Sequence, residues 1–174
     1  VHAYGGELEL ENNPNITAGM LTWMAAGQVA GKPMSVTEWN VSPFPTLDRH
    51  ITPLLVASRA SHQGWDALMQ YAYAQNSLNR IGKPSNWHSH NDPAFLATLP
   101  AAALLYRGGH VMAAHSTYYL APGETLFFEK ITPETSIAIR TASEKGKLVI
   151  AMPKTKSLPW LTPSSPPKNA VIID

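Results

Sequence analysis

The spacing of apolar residues along the chain separates helix-like segments from strand-like ones. Residues 17–30 and 47–63 carry apolar side chains at helical spacing, and a glycine follows each segment, as expected past a helix C-terminus. Residues 92–108 repeat this spacing, with Asp92 at the position of an N-cap and Pro93 at the first helical position. The pattern therefore predicts three helices.

Short runs of strand-forming residues lie between these helices. Residues 34–39 predict a strand that ends at Glu38, and residues 67–73 predict a strand buried on both faces. Residues 1–4 have the character of the end of a strand inside a domain, so we expect the chain to begin within a larger unit. Strands that alternate with helices predict a parallel sheet and an α/β fold.

The pattern changes near residues 115–122. Beyond this point, three short β-type runs are separated by Pro, Gly, Ser and Lys, and they predict a small antiparallel sheet. These runs are residues 125–129, 136–141 and 148–152. We therefore expect an α/β part over residues 1–116 and a β-rich accessory module with a Pro- and Ser-rich linker over residues 117–174.

Composition excludes several classes of protein and of site. The 174 residues include 13 Lys and Arg against 12 Asp and Glu, scattered along the chain, which argues against a nucleic-acid partner. The absence of Cys excludes disulfides, thiolate zinc sites and cysteine nucleophiles. No run approaches the roughly 18 apolar residues of a membrane-spanning helix. We therefore expect a folded protein that engages neither nucleic acid nor a membrane.

Glu38 is the acidic residue that this pattern places at the C-terminal end of a buried parallel strand. Ligands bind at this end of the sheet in parallel α/β proteins, and a buried carboxylate is costly unless it is hydrogen-bonded or paired. From spacing alone, Glu38 is either functional or the partner of an arginine such as Arg49 or Arg59. His2 and Tyr4, at the end of the preceding strand, are placed to reach the same rim.

Several segments of residues 1–116 resemble the later strands of clan A glycoside hydrolases. The closest resemblance is to cellulase-like enzymes that cleave β-1,4-glucans and have an eight-fold β/α barrel. The segments that carry it are Val1-His2-Ala3-Tyr4, Val36-Thr37-Glu38-Trp39-Asn40, residues 52–60 and Gln63-Gly64-Trp65-Asp66. The resemblance implies a partial (β/α)8 TIM barrel that contains strands six to eight.

The same resemblance implies roles for individual residues. In that clan the sixth strand typically ends in a His-x-Tyr pair and the seventh in the nucleophilic Glu. Matched in this way, His2 and Tyr4 bind substrate and orient the nucleophile, which is Glu38. Trp87 looks like the aromatic platform on which a sugar ring stacks. Trp39 follows Glu38 on a strand, points to the opposite side and is expected to pack. No metal or cofactor is implied.

The resemblance covers only part of an active site. A complete barrel needs about 250 residues. A retaining glycosidase also needs a second carboxyl group about 5 Å from the nucleophile, and no position here matches the one at the end of the family's fourth strand. We therefore expect a C-terminal part of a hydrolase of β-linked glucan or xylan, inactive alone, that pairs with an N-terminal portion or with itself. A polymeric substrate implies an extracellular location.

One other function remains open, and two further interpretations are disfavoured. The chain could be a non-catalytic carbohydrate-binding or assembly module that keeps the aromatic rim. A complete flavodoxin-like protein would need a phosphate-binding loop after its first strand, which the sequence lacks. A metal site at His88, His90 and Asp92 is disfavoured because zinc needs three or four convergent ligands.

Overall fold

A computed structural model describes most of the chain in two open sheets and the helices that pack on them. It describes residues 2–6, 19–42, 49–75, 78, 85, 87–128, 136–154, 156, 159–160 and 162–173, of which 2–6, 41–42, 126 and 173 are described through their backbone alone. Within these ranges no helix combines the length and the apolar character needed to cross a bilayer.

The first sheet is parallel and alternates with helices along the chain. Its three strands, in the order β1-β2-β3, are β1 (His2–Gly6), β2 (Ser35–Ser42) and β3 (Ala67–Gln70). The helices are α1 (Gly19–Ala26), α2 (Thr52–Gln63, after a turn of 3₁₀ helix at Arg49–Ile51) and α3 (Pro93–Arg107). The predicted strands and helices and their parallel arrangement are confirmed in this part. β3, however, is not buried on both faces as predicted, because its residues are at most half-buried and Met69 is 47% exposed.

Capping geometry confirms two of the predicted helix ends, the C-terminus of α2 and the N-terminus of α3, whereas α1 ends at Ala26 and not at residue 30 as predicted. Gly64 ends α2 with a positive φ of 66°, and its N–H donates to the carbonyl groups of Ala60 and Ser61. At the start of α3, the side chain of Asp92 accepts a hydrogen bond from the N–H of Phe95 at 3.1 Å. Local sequence therefore determines where these two helices end and begin.

The second sheet is also parallel, which contradicts the predicted antiparallel module. Its strands, in the order β5-β4-β6, are β4 (Thr117–Leu120), β5 (Lys147–Ile150) and β6 (Val171–Ile173). Two helices, α4 (Glu124–Phe128) and α5 (Ile137–Lys145), lie between β4 and β5 in the chain. Because the chain returns through helices, β4 and β5 run in the same direction.

Of the three strands predicted in the tail, one is confirmed and two are wrong. Residues 148–152 overlap β5, whereas residues 125–129 overlap α4 and residues 136–141 overlap α5. Residues 136–141 place β-branched residues at alternate positions, a pattern that is typical of a strand. The domain boundary after residue 116 stays a prediction.

The physical reason is clearest in α5. Ser136 caps the helix, since its hydroxyl accepts a hydrogen bond from the N–H of Ile139 at 3.2 Å. Arg140 pairs with Glu144 one turn later at 2.9 Å. Ile139 and Ala142, three residues apart, are the buried apolar positions. Capping and burial at helical spacing therefore outweigh the strand propensity.

The two sheets share one core. Buried side chains from α1, β2, α2, α3, α5 and β5 form a single cluster that includes Met24, Val36, Val56, Phe95 and Leu148. Backbone hydrogen bonds also join the loop after α1 to β5 near Ile150. The class is therefore mixed α/β, and neither described sheet closes into a barrel. The assignment of β1–β3 to strands six to eight of a barrel stays a prediction.

Gln63, fully buried at the end of α2, connects this helix to the second sheet. Its Nε2 donates to the carbonyl groups of Ser143 at 2.6 Å and Gly146 at 2.7 Å. Its Oε1 accepts the N–H of Leu148 at 2.8 Å. One amide side chain thus satisfies three backbone groups at the junction of α5 and β5.

Substituting Gln63→Leu is expected to lower the free energy of unfolding by about 3 kcal/mol, because it leaves these backbone groups buried without a partner. Chemical denaturation measures the effect. Gln75→Leu is the matched control: Gln75 is exposed and its amide donates to the hydroxyl of Tyr71, so the substitution should lower stability by at most about 1 kcal/mol. Equal effects of the two substitutions would contradict the proposed importance of the buried amide.

Candidate functional site

Glu38 lies within β2 and not at its end as predicted. β2 continues to Ser42 because β1 pairs with it as far as Gly6. β3 is shorter, and its last residue, Gln70, is opposite Trp39. The half-buried Glu38 is therefore level with the end of β3, where the loop after this strand begins.

The register of β1 aligns the predicted site residues. His2 is opposite Glu38 and Tyr4 is opposite Asn40 in the parallel pair. The three predicted residues His2, Tyr4 and Glu38 therefore occupy neighbouring positions on adjacent strands. The side chains of His2 and Tyr4 lie outside the described part of the structure, so their substrate-binding roles stay predictions.

The pairing of β2 with β3 shifts between Val36 and Trp39, an interval that contains Glu38. Three residue steps on β2, from Val36 to Trp39, match two steps on β3, from Leu68 to Gln70. Such an irregularity changes the direction of the side chains around it and is frequent next to active sites. Trp39 is buried against Phe95, with ring centroids 6.3 Å apart, so its predicted packing role is confirmed.

Two groups of aromatic rings follow β3, Tyr71 with Trp87 and Tyr73 with His90 and His88, and together they are called the aromatic cluster. Trp87 contacts Tyr71 edge to face at 6.1 Å between centroids, and His90 contacts Tyr73 at 6.1 Å and His88 at 5.9 Å. Trp87 is 42% exposed and Tyr73 is 57% exposed. The predicted platform residue thus lies on an accessible surface beside the end of β3.

Hydrogen bonds join the two segments that carry the aromatic cluster, residues 71–75 and residues 87–90. Ser89, fully buried, donates from its N–H to the carbonyl groups of Ala72 and Tyr73, both at 3.1 Å. Its hydroxyl donates to Ala72 at 3.1 Å as well. The N–H of Gln75 donates to Nδ1 of His88 at 3.2 Å. The segment that carries His88 is therefore fixed to the residues that directly follow β3.

Arg49 is the centre of a buried polar network beneath the aromatic cluster. Its Nε donates to the carboxylate of Asp92 at 3.0 Å, and its Nη2 donates to Oδ1 of Asn40 and to the carbonyl group of Ser85, both at 3.3 Å. The guanidinium also lies 4.9 Å from the ring centroid of Phe95. Burial lowers the pKa of Arg49, whereas the hydrogen bond and charge of Asp92 raise it.

This network connects β2 to the platform residue. The Nδ2 of Asn40 donates to the carbonyl group of Tyr71. The N–H of Trp87 donates to Oγ of Ser85 at 3.2 Å, and the carbonyl group of Ser85 is the one that Arg49 binds. The sequence analysis missed Asn40 and this role of Arg49.

The arginines considered as partners of Glu38 have acidic partners on other elements. Arg49 pairs with Asp92 at the start of α3, and Arg59 of α2 pairs with Glu144 of α5 at 3.5 Å. The N-cap signal at Asp92 was visible in the sequence. Its contact with Arg49, 43 positions away, was not.

The described residues offer no metal site. Among them, no three or more His, Asp or Glu side chains are arranged to hold an ion. Asp92 is bound by Arg49 and by the N–H of Phe95. Asp92 is therefore already engaged, so the disfavoured set of His88, His90 and Asp92 does not offer three ligands to a metal ion.

An apolar cavity of about 360 Å³ lies between β3 and helices α2 and α3. Trp39, Leu68 and Leu99 line it, and within the described part of the chain its lining includes no Asp or Glu. Burial, with a smaller contribution from the charge of Asp66, raises the pKa of Tyr106 at its wall. Without a carboxylate, this cavity has no group suited to glycosidic-bond cleavage.

Comparisons with protein-family models, curated proteins and solved structures find no match for this chain. The family resemblance of residues 1–116 is therefore neither supported nor contradicted by these comparisons.

Proposed function

We propose that this chain is part of a retaining glycoside hydrolase that cleaves a β-linked polysaccharide, a β-1,4-glucan or a xylan. Glu38 is the nucleophile, His2 and Tyr4 contact the substrate, and Trp87 carries a sugar ring. The second carboxyl group belongs to a portion of the enzyme outside this chain, so the chain alone is inactive. The polymeric substrate places the enzyme outside the cell.

The observation that carries the proposal is the position of Glu38 relative to its neighbours. Its Cα pairs with that of His2 on β1, and it lies level with the end of β3, from which the aromatic cluster follows. A carboxylate level with the start of a loop that exposes aromatic rings suits a neutral sugar, whose C–H faces stack on such rings. Three parallel strands separated by helices also suit a segment of a β/α barrel.

The chemistry assigns a task to each group. The carboxylate of Glu38 attacks the anomeric carbon and displaces the leaving oxygen, which the second carboxyl group protonates. Water activated by that second group then hydrolyses the glycosyl-enzyme ester and releases Glu38. A hydrogen bond from the hydroxyl of Tyr4 would favour the ionised nucleophile, and Trp87 would hold the ring in place.

The test compares hydrolysis of a soluble β-glucan by the purified protein and by its Glu38→Gln variant. Mass spectrometry under native and denaturing conditions first identifies any accompanying chain. Hydrolysis by a complex of this chain with a larger partner, lost on Glu38→Gln, supports the proposal. Full hydrolysis by the 174-residue chain alone would contradict the assignment of the second carboxyl group to another portion.

The alternative is a carbohydrate-binding or assembly module without catalysis, which the exposed ring of Trp87 favours. Trp87→Ala should weaken retention on insoluble cellulose by about fivefold to tenfold, because it removes a stacking face. Trp160→Ala, at an exposed position in the tail, is the matched control and should have no effect. Retention that survives Glu38→Gln but fails on Trp87→Ala, without hydrolysis by any variant, favours the alternative.

A further inference from the structure

We propose that the apolar cavity between β3 and helices α2 and α3 binds a small molecule with an apolar body and a carboxylate group. This goes beyond the proposed function, because such a ligand is neither the polysaccharide nor a part of it. Among the described residues that line the cavity there is neither Glu38 nor any ring of the aromatic cluster. The cavity is therefore a second site, separate from the one assigned to the sugar.

Small side chains leave the space that this ligand would fill. Ala57 on α2 and Ala102 and Ala103 on α3 line the cavity together with Leu68 and Leu99. Its volume of about 360 Å³ is that of a small-molecule site, and such sites are concave and mostly apolar. A wall of this kind favours a hydrocarbon ring or chain and offers few partners to the hydroxyl groups of a sugar.

Two residues that line the cavity carry a buried N–H group without a hydrogen-bond partner in the described structure. The groups are Nε1 of Trp39, a residue that is 4% exposed, and Nε2 of Gln70. Trp39 and Gln70 are opposite each other in the pairing of β2 with β3, so their side chains leave the sheet on the same face. Oε1 of Gln70 accepts the hydroxyl of Ser89 at 3.4 Å, which leaves the amide nitrogen available.

These two nitrogens indicate what the ligand must supply. Buried donors in folded proteins are nearly always satisfied, and a donor that stays unpaired lowers stability. A molecule that fills the cavity and carries an acceptor oxygen would satisfy them. The hydroxyl of Tyr106, also on the wall, is already bound to the carbonyl group of Trp65 and does not compete for that oxygen.

The charge of the lining selects a carboxylate as the acceptor. Arg107, in the last turn of α3, lines the cavity, is exposed to solvent and forms no ion pair with any described residue. The indole, amide and guanidinium groups are all donors, whereas an ionised carboxylate only accepts. Hydrogen bonds to a charged donor are the stronger ones. The donor set therefore favours a carboxylate over an alcohol or an amine.

The first experiment adds phenylacetate to the purified protein, with any chain that accompanies it, and follows the indole N–H resonances by two-dimensional NMR. The Trp39 resonance should move downfield, because its N–H gains an acceptor. Trp65 is the internal control, since its buried indole N–H also lacks a partner among the described residues but Trp65 does not line the cavity. Trp39→Phe and Trp65→Phe variants identify the two resonances.

The second experiment separates charge from apolar body by isothermal titration calorimetry. Phenylacetamide has nearly the shape of phenylacetate without its charge and should bind about fivefold to tenfold more weakly. Arg107→Gln should remove this difference. Ala103→Phe, which places a ring at the cavity wall, should weaken phenylacetate at least about tenfold. Ala101→Phe, at an exposed position of the same helix outside the lining, is the matched control and should have no effect.

Three results would overturn the proposal. One is a Trp39 resonance that stays in place up to the solubility limit of phenylacetate, which is also the result expected if an accompanying chain fills the cavity. Another is equal affinity for phenylacetate and phenylacetamide. The third is unchanged phenylacetate binding by a folded Ala103→Phe variant, with folding verified by circular dichroism. Hydrolysis by the Glu38→Gln variant tests the proposed function separately from all three.

Discussion

Glu38→Gln should lower kcat/KM for β-glucan hydrolysis by the assembled enzyme at least about a thousandfold. Glutamine has nearly the same shape as glutamate but cannot form the covalent ester with the anomeric carbon. Because Glu38 is half-buried on a paired strand, the amide should preserve packing while it removes the reactive oxygen. Initial rates on a soluble β-glucan measure the effect, with thermal unfolding of both proteins as a check on folding.

Glu124→Gln is the matched control for this substitution. Glu124 is an exposed carboxylate in α4, and its replacement should leave hydrolysis unchanged. A Glu38→Gly variant extends the test, since azide can occupy the space of the missing carboxylate and attack the anomeric carbon in its place. Hydrolysis by Glu38→Gln at a rate comparable to the unmodified enzyme would rule out Glu38 as the nucleophile.

The first part of the fold was predictable because its signals are local. Gly64 and Asp92 mark helix ends through their own backbone and side-chain bonds. The compact apolar run at residues 67–73 indicated β3, which is confirmed over Ala67–Gln70. Alternation of strands and helices then leaves few arrangements other than a parallel sheet.

The tail was predicted less well because its signals conflict. Residues 136–141 alternate as a strand does, yet Ser136 begins a helix whose apolar face joins the shared core. Tertiary burial decides between two local preferences of similar strength. The hydrogen bonds of Gln63 with Ser143 and Gly146 come from residues about 80 positions apart in the chain, which no local pattern can indicate.

The candidate site was predictable only in part, for the same reason. Its place on a predicted strand indicated Glu38, and the family resemblance indicated both Glu38 and Trp87. The register that aligns His2 with Glu38 follows from strand pairing, and the contact of Trp87 with Tyr71 follows from the loop backbone. The sequence around Arg49 does not indicate its role in the buried network, because its hydrogen-bond partners lie on β2, at the start of α3 and in the loop after β3.

Arg49→Met should lower the free energy of unfolding by about 3 to 5 kcal/mol. Methionine fills much of the same space, but Asp92 then remains buried without its cation, and the carbonyl group of Ser85 loses a donor. The transition midpoint in urea measures the loss. Adding Asp92→Asn should recover part of it, because asparagine still caps α3 and carries no charge.

Arg59→Met is the matched control, since it removes an arginine whose partner Glu144 is exposed. Because Glu144 is partly solvated, the pair contributes about 1 kcal/mol. Arg59 also donates to the hydroxyl of Ser143 at 3.2 Å, so the same substitution should produce a smaller, but not negligible, change at residue 59. The difference between the two variants measures the contribution of burial to the pair of Arg49 and Asp92. If Arg49→Met costs no more than Arg59→Met, the buried network does not stabilise the loop that carries Trp87.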